Sequence, residues 1–187
     1  MAARSWVEDL LDRPQPFSRA LPFAERIYVG LGDMEGQIRI LEHMIKHDPQ
    51  QRGEGLRRLV EVYQRSGDME EAIAVANRLI DVLPGNPTGH QTLARLHQRL
   101  GQGMESVEHM RKAIALAPSD ISLRIELASL FRSQLMIPFA METYWQAMDL
   151  ADDVSAQLAV VRPLGELYAE QMRSDQFTER LKRRKNR

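Results

Sequence analysis

Apolar and small residues return every three or four positions through most of this chain. In MEEAIAVANRLIDVL, residues 69–83, they fall at Ala72, Val75, Ala76, Leu79, Ile80 and Leu83, the spacing of one helix face. Gly67 stands before this stretch and PGNP, 84–87, follows it. Glycine allows the positive φ that ends a helix, and proline cannot continue one. The same phrase recurs. Prolines close LEHMIKHD, ANRLIDVL and RKAIALA at Pro49, Pro84 and Pro118, 35 and 34 residues apart. A fixed period of this size predicts stacked pairs of antiparallel helices, since one short pair cannot bury its apolar faces alone. In the second unit LRRLVEVYQRSGD reads as the first helix with its turn, and 69–84 as the second helix with its stop. No β-branched run alternates long enough for a strand, so the predicted fold class is all-α.

With Gly53 as a first position, Leu56, Leu59, Val60, Tyr63, Gly67, Ala72, Ala76, Leu79 and Pro84 take up a pattern of large, Leu-small, aromatic, Gly, small and Pro residues. From Pro87, Leu93, Ala94, Gly101, Ala113 and Pro118 follow it, while His90, His97, Ser106 and Met110 depart. From Ile121, Leu127, Ala128, Phe131, Ala140, Tyr144 and Ala147 follow it, and Asp152 replaces the closing proline. Flanking units are weaker: Leu21, Tyr28, Gly32, Met44 and Pro49 ahead, and Leu164, Gly165 and Tyr168 behind, after a slip of three residues. This pattern resembles the tetratricopeptide repeat. The resemblance implies a right-handed superhelical solenoid of antiparallel helix pairs over 18–187, with units at about 18–52, 53–86, 87–120 and 121–154 and a partial one at 158–187. Residues 1–17 would be a short helix or linker, with Ser5 and Glu8 in the form of a capping box and Trp6, Leu10 and Leu11 covering the first unit.

Composition narrows function more than fold. The 187 residues are 43 % hydrophobic and 27 % charged, with net charge −1, so no global field draws the molecule to nucleic acid or membrane. There is no cysteine, which excludes disulfides, thiol catalysis and cysteine metal sites. The apolar start is broken by Glu8, Asp9 and Asp12, unlike a secretory signal, and nothing reaches transmembrane length. A cytoplasmic protein is expected.

Candidate chemistry is thin. His43 and His47 share a helix face beside Asp48, a metal-ligand spacing that lacks the further ligands such a site needs; polar side chains also suit the end of a helix. His90 and His97 share a face with no carboxylate or serine placed to form a catalytic pair, and are expected to pack between helices. No phosphate loop, nucleophile elbow or paired-carboxylate motif occurs. The expectation is no enzymatic activity, no cofactor, no metal and no small-molecule substrate. Met34, Met69, Met104 and Met136 lie near the turns; such residues form adaptable surfaces or, more often at helical spacing, core filler. The tail KRRKNR has the composition of a nucleic-acid patch but no stacking aromatic, and reads as a solubilising end.

The resemblance also implies a concave groove lined by first helices. The positions exposed there in the family correspond to Arg19, Pro22, Arg26, Val29 and Gly30; Glu54, Arg57, Glu61, Gln64 and Arg65; Thr88, Gln91, Arg95, Gln98 and Arg99; and Ser122, Ile125, Ser129, Arg132 and Ser133. Seven Arg against two Glu on a chain of net −1 would concentrate positive potential there, and arginine pairs bidentately with carboxylates. Arg26, Arg57, Glu61, Gln64, Arg65, Gln91, Arg95, Gln98, Arg99 and Arg132 are the candidate partner-binding residues. The Lys-and-Asn clamp with which some members grip a C-terminal carboxylate is replaced by Arg57 and Glu61, then Gln91 and Arg95, which argues against that ligand. The expected role is a non-enzymatic scaffold binding an acidic or extended peptide. The alternatives are a structural segment or homo-oligomer using Trp6 or the Phe177–Leu181 helix and, most remotely, nucleic-acid binding.

Overall fold

A computed structural model describes residues 21–185. Among them every regular element is an α-helix: α1 Leu21–Leu31, α2 Met34–His47, α3 Arg52–Ser66, α4 Met69–Val82, α5 Thr88–Arg99, α6 Gly103–Leu116, α7 Ile121–Ser133, α8 Ile137–Leu150, α9 Val154–Glu170 and α10 Ser174–Lys185. Ser5, Trp6, Glu8, Leu10 and Leu11 of the expected cap lie outside the described residues, as does Arg19. The chain divides into two compact units between Leu96 and His97.

In the first unit consecutive helices pack as antiparallel neighbours around one core. Tyr28, Ile40, Leu41, Leu56, Leu59, Leu79, Leu93 and Leu96 are fully or almost fully buried in it, as are the small residues Ala72 and Ala76. Tyr63 is half-buried against the same cluster. The second unit gathers Met110, Leu123, Leu127, Phe131, Tyr144, Trp145, Leu164 and Leu167, with Ala113, Ala128, Ala140 and Ala147 as its small residues. Ser106 and Met110, which depart from the repeat pattern, are both fully buried.

Five turns join a first helix to a second, and they share one hydrogen-bond pattern. The N–H groups of Asp33, Asp68, Gln102, Met136 and Arg173 donate to the carbonyls of Tyr28, Tyr63, His97, Phe131 and Tyr168. Each bond spans a residue in the left-handed region, as in the Schellman ending of a helix. That residue is Gly32, Gly67 or Gly101 in the first three turns, and Leu135 (φ 60°) or Met172 (φ 53°) in the last two. Asp33, Asp120 and Asp153 cap the helices that follow them by accepting from the N–H groups of Gly36, Ser122 and Ala156.

Three sequence expectations change. The last repeat does not begin near 158: α9 starts at Val154 and runs 17 residues through Pro163. The slip of three residues is therefore taken up in a lengthened helix rather than a longer loop. Met104 is 85 % exposed, and Met34 and Met136 are also exposed, so they are not core filler; Met69 does pack against the core. The basic tail is not only a solubilising end. Arg184 pairs with Asp149 and donates to the carbonyl of Met148 in the last turn of α8, where a cation complements the negative end of the helix. Arg180 lies 4.4 Å over the Trp145 ring. Phe177, in the helix offered above as an alternative oligomer contact, stacks on Tyr168 at 5.2 Å and packs against Trp145.

Candidate interaction surface

The first helices carry the candidate residues because their inner stripes are committed to the core. In α3, Leu56, Leu59 and Val60 are buried, which turns Arg57, Glu61 and Arg65 outward. In α1 Arg26 is exposed, and in α5 Arg95 is exposed while Gln91 is half-buried. Gln64 is half-buried at the end of α3. These residues belong to the first unit. Gln98 and Arg99, exposed at the end of α5, and half-buried Arg132 in α7 belong to the second.

Carboxylates already occupy two of these arginines, Arg57 and Arg132. Arg57 donates through Nε and Nη2 to Glu54 at 2.9 and 2.8 Å, and through Nη1 to Glu61 at 2.6 Å. The hydrogen bond from Arg57 holds the Glu54 carboxyl below its ordinary range, and the bond to Glu54 raises the Arg57 guanidinium. Arg65 donates to Gln37 of α2 at 2.8 Å. In the second unit Arg132 pairs with Glu170 and, at 3.6 Å, with Glu166, both on α9. A count of seven Arg against two Glu therefore overstates the local charge. The reason is geometric: Glu166 and Glu170 come from a neighbouring helix, at positions the count did not include.

Glu25 was missed for a similar reason. It is 6 % exposed and forms an ion pair with Arg58 of α3. In the repeat register it stands where Val60, Ala94 and Ala128 stand in later units, all three of them buried. Burial raises its pKa above 4.5, with Arg58 opposing the shift. A charged residue at a position otherwise filled by small or aliphatic ones is the signal that register alone could have supplied.

The histidines lie in two different settings. The rings of His43 and His47 lie 4.5 Å apart, but the neighbouring Asp48 accepts from the N–H groups of Gln50 and Gln51. No group of three or more His, Asp or Glu able to hold a metal occurs among the described residues. His97 stacks on His109 at 5.3 Å, and its Nδ1 lies 2.6 Å from Gln102 Oε1. No helix among the described residues is long and apolar enough to cross a membrane.

No protein-family model matches the sequence, and no curated protein matches it. Solved structures do match in shape. A crystal structure of MamA protein superposes with TM-score 0.64 at 18 % identity, covering 88 % of each chain. MamA 41-end from Desulfovibrio magneticus RS-1 gives 0.63 at 16 %, covering 89 % of this chain and 92 % of that one. A tetratricopeptide repeat protein from Parabacteroides merdae ATCC 43184 gives 0.64 at 17 %, covering 91 % and 67 %. At these identities the likeness concerns the fold.

Proposed function

We propose, from the tetratricopeptide-repeat fold of this chain, that it is a non-enzymatic protein-interaction scaffold whose first-helix faces take an extended acidic segment. The observation that carries this reading is the placement of Arg26, Arg65 and Arg95 on α1, α3 and α5 of one unit, exposed and accompanied by Gln64 and Gln91. Stacked repeats present the same face at regular intervals, which suits a ligand that is itself extended. The arginines supply charge-assisted hydrogen bonds to carboxylates, each worth about 1.5–3 kcal/mol when shielded from water. The amides add bonds that do not depend on charge. Glu61, with its carboxylate on Arg57, repels an acid placed against it and so fixes where along the face the ligand's acids can sit. Arg99 and Gln98 offer a further set in the other unit, where Arg132 is already paired with Glu166 and Glu170.

A titration of labelled Glu- and Asp-rich peptides against Arg65→Glu/Arg95→Glu tests the reading. Both side chains are exposed, though Arg65 also donates to buried Gln37. The double variant is therefore expected to melt somewhat below the parent, remain folded at the titration temperature by circular dichroism, and lose most of its affinity. Binding by the parent should also weaken with salt, because charges more than about 8–10 Å apart are screened. Lys182→Glu/Arg183→Glu is the control for the tail; Arg184 is unsuitable because it anchors α10 to α8. Loss of affinity in the tail variant alone would move the site away from the first helices.

A further inference from the structure

The first unit has a second charged feature, away from the first-helix positions. A trough of about 800 Å³ opens between α2, the start of α3 and the end of α4. Its walls carry four cations, Arg39, Lys46, Arg52 and Arg78, against two acids, Glu42 and Asp81. Buried Ile45 and Leu56 contribute an apolar floor. Arg52 and Arg78 are held in place by the protein. The Nε of Arg52 donates to the carbonyl of Ile45 at 3.0 Å. Arg78 lies two-pronged on Glu42, at 2.8 and 3.2 Å.

The charge is not a by-product of the repeat. The second unit has a trough between the matching helices α6, α7 and α8, of about 310 Å³. Ile114 there is the twelfth residue of its helix, as Ile45 is of α2. Gln146 is the tenth of its helix, where α4 has Arg78. Phe131 and Phe139 fill part of that second trough, and its cations are Arg111 and Arg124 with Glu142. The same architecture thus supports a smaller, ring-lined hollow in one unit and a wide basic one in the other.

We propose that the basic trough binds a phosphate-bearing organic ligand. Its formal excess of two positive charges matches a phosphate monoester, which carries about −1.5 to −2 at neutral pH. Guanidinium groups pair bidentately with phosphate oxygens, and the lysine adds a point charge. The volume lies within the roughly 300–1,000 Å³ of organic-ligand pockets, so a bare phosphate leaves the apolar floor uncovered and an attached group covers it. Lys46 and Arg52 hold the phosphate, and Arg39 and Arg78 join them as their existing interactions loosen. This site does not rest on the first-helix reading, since none of its residues is shared with it.

The test is calorimetric titration of the full chain with inorganic phosphate, adenosine monophosphate, and a short phosphoserine peptide beside its unphosphorylated form. The organic phosphates are expected to bind saturably and more tightly than inorganic phosphate. Lys46→Gln/Arg52→Gln should weaken them at least tenfold, while Arg65→Glu/Arg95→Glu leaves them unchanged. If the Arg52 change lowers the melting temperature, Arg39→Gln/Lys46→Gln, whose side chains are both exposed, replaces it. Tighter binding of the nucleotide identifies a free metabolite-like ligand, and tighter binding of the phosphopeptide a modified partner; either supports the site. Absence of saturation with every probe, or equal loss in the trough and first-helix variants, overturns it.

Discussion

Gly67 and Leu135 hold the same place in their turns, each bridged by a hydrogen bond from the following N–H to the carbonyl of an aromatic residue five positions back. Both have positive φ, 93° and 60°. For glycine this costs nothing sterically, whereas for leucine the left-handed conformation costs about 1–2 kcal/mol. The early turns carry Gly32, Gly67 and Gly101, while the late ones carry Leu135 and Met172, 82 % and 95 % exposed. The late turns are flanked by ring contacts: Phe131 and Phe139 lie 5.7 Å apart across the Leu135 turn, and α9 and α10, on either side of the Met172 turn, pack on α8. Trp145, Tyr168 and Phe177 meet ring to ring, Trp145 donates to the Tyr168 hydroxyl at 3.1 Å, and Arg180 covers the indole. Local conformation sets the early turns, and tertiary contacts impose the late ones.

Removing that aromatic contact should have the largest effect. Trp145 is 3 % exposed, and Trp145→Ala is expected to cost about 3–5 kcal/mol, read as a lowered melting temperature by circular dichroism. An unchanged melt would mean that the rings do not hold the last helices. A smaller effect is expected where the first unit depends on close approach. A Cβ at Gly36 would fall 2.2 Å from the Tyr28 ring, so Gly36→Ala should cost about 1–3 kcal/mol through overpacking. Exchanging the turn residues tests the comparison itself. Gly67→Leu should cost about 1–2 kcal/mol, and Leu135→Gly should gain about 0.5–1 kcal/mol, the strain relieved less the added freedom of the unfolded chain. Equal and opposite zero effects would show that both turns are set by their surroundings.

The fold was legible because its main devices are local. Breakers at Gly67, Pro84, Gly101 and Pro118 are visible in the sequence, and so is the three-to-four spacing between them. The late turns were harder to read because Leu135 and Met172 carry no turn signal of their own. Their positions could still be found from the aromatic residues four places earlier, Phe131 and Tyr168, as Tyr28 and Tyr63 precede Gly32 and Gly67. The candidate surface was less legible. A side chain's position in a repeat gives its direction, but its charge environment depends on partners from other helices, as Arg132 shows with Glu166 and Glu170. The trough residues of α2 and α4 fall outside the first helices, so a reading confined to the family's usual binding face passed over them.

The two units also differ in what they bury. Glu25, Gln37 and Asp48 are the buried polar residues of the first and Ser106 and Thr143 those of the second, among those described, so both buried acids lie in the first. The smallest predicted effect follows from Glu25. Burial raises its folded pKa above the ordinary 4.5, against the opposing pull of Arg58. A carboxyl raised in this way binds its proton more tightly when folded, so it favours the folded state at low pH and loses that contribution as pH rises through the folded value. Glu25→Gln removes the titration while keeping an oxygen for Arg58. Between pH 7 and 4.5, falling pH should therefore shift the stability difference between parent and variant toward the parent. Below 4.5 the difference should level off. Glu54, held low by Arg57, makes the opposite contribution: its stabilisation is lost only as pH falls below 4.5, outside this window, and it is present in both proteins. Urea unfolding of the pair across this range gives the measurement. A difference that stays flat would show that attraction to Arg58 cancels the cost of burial, and one that moves toward the variant as pH falls would show that the attraction outweighs it and that the first unit gains from the charge it encloses.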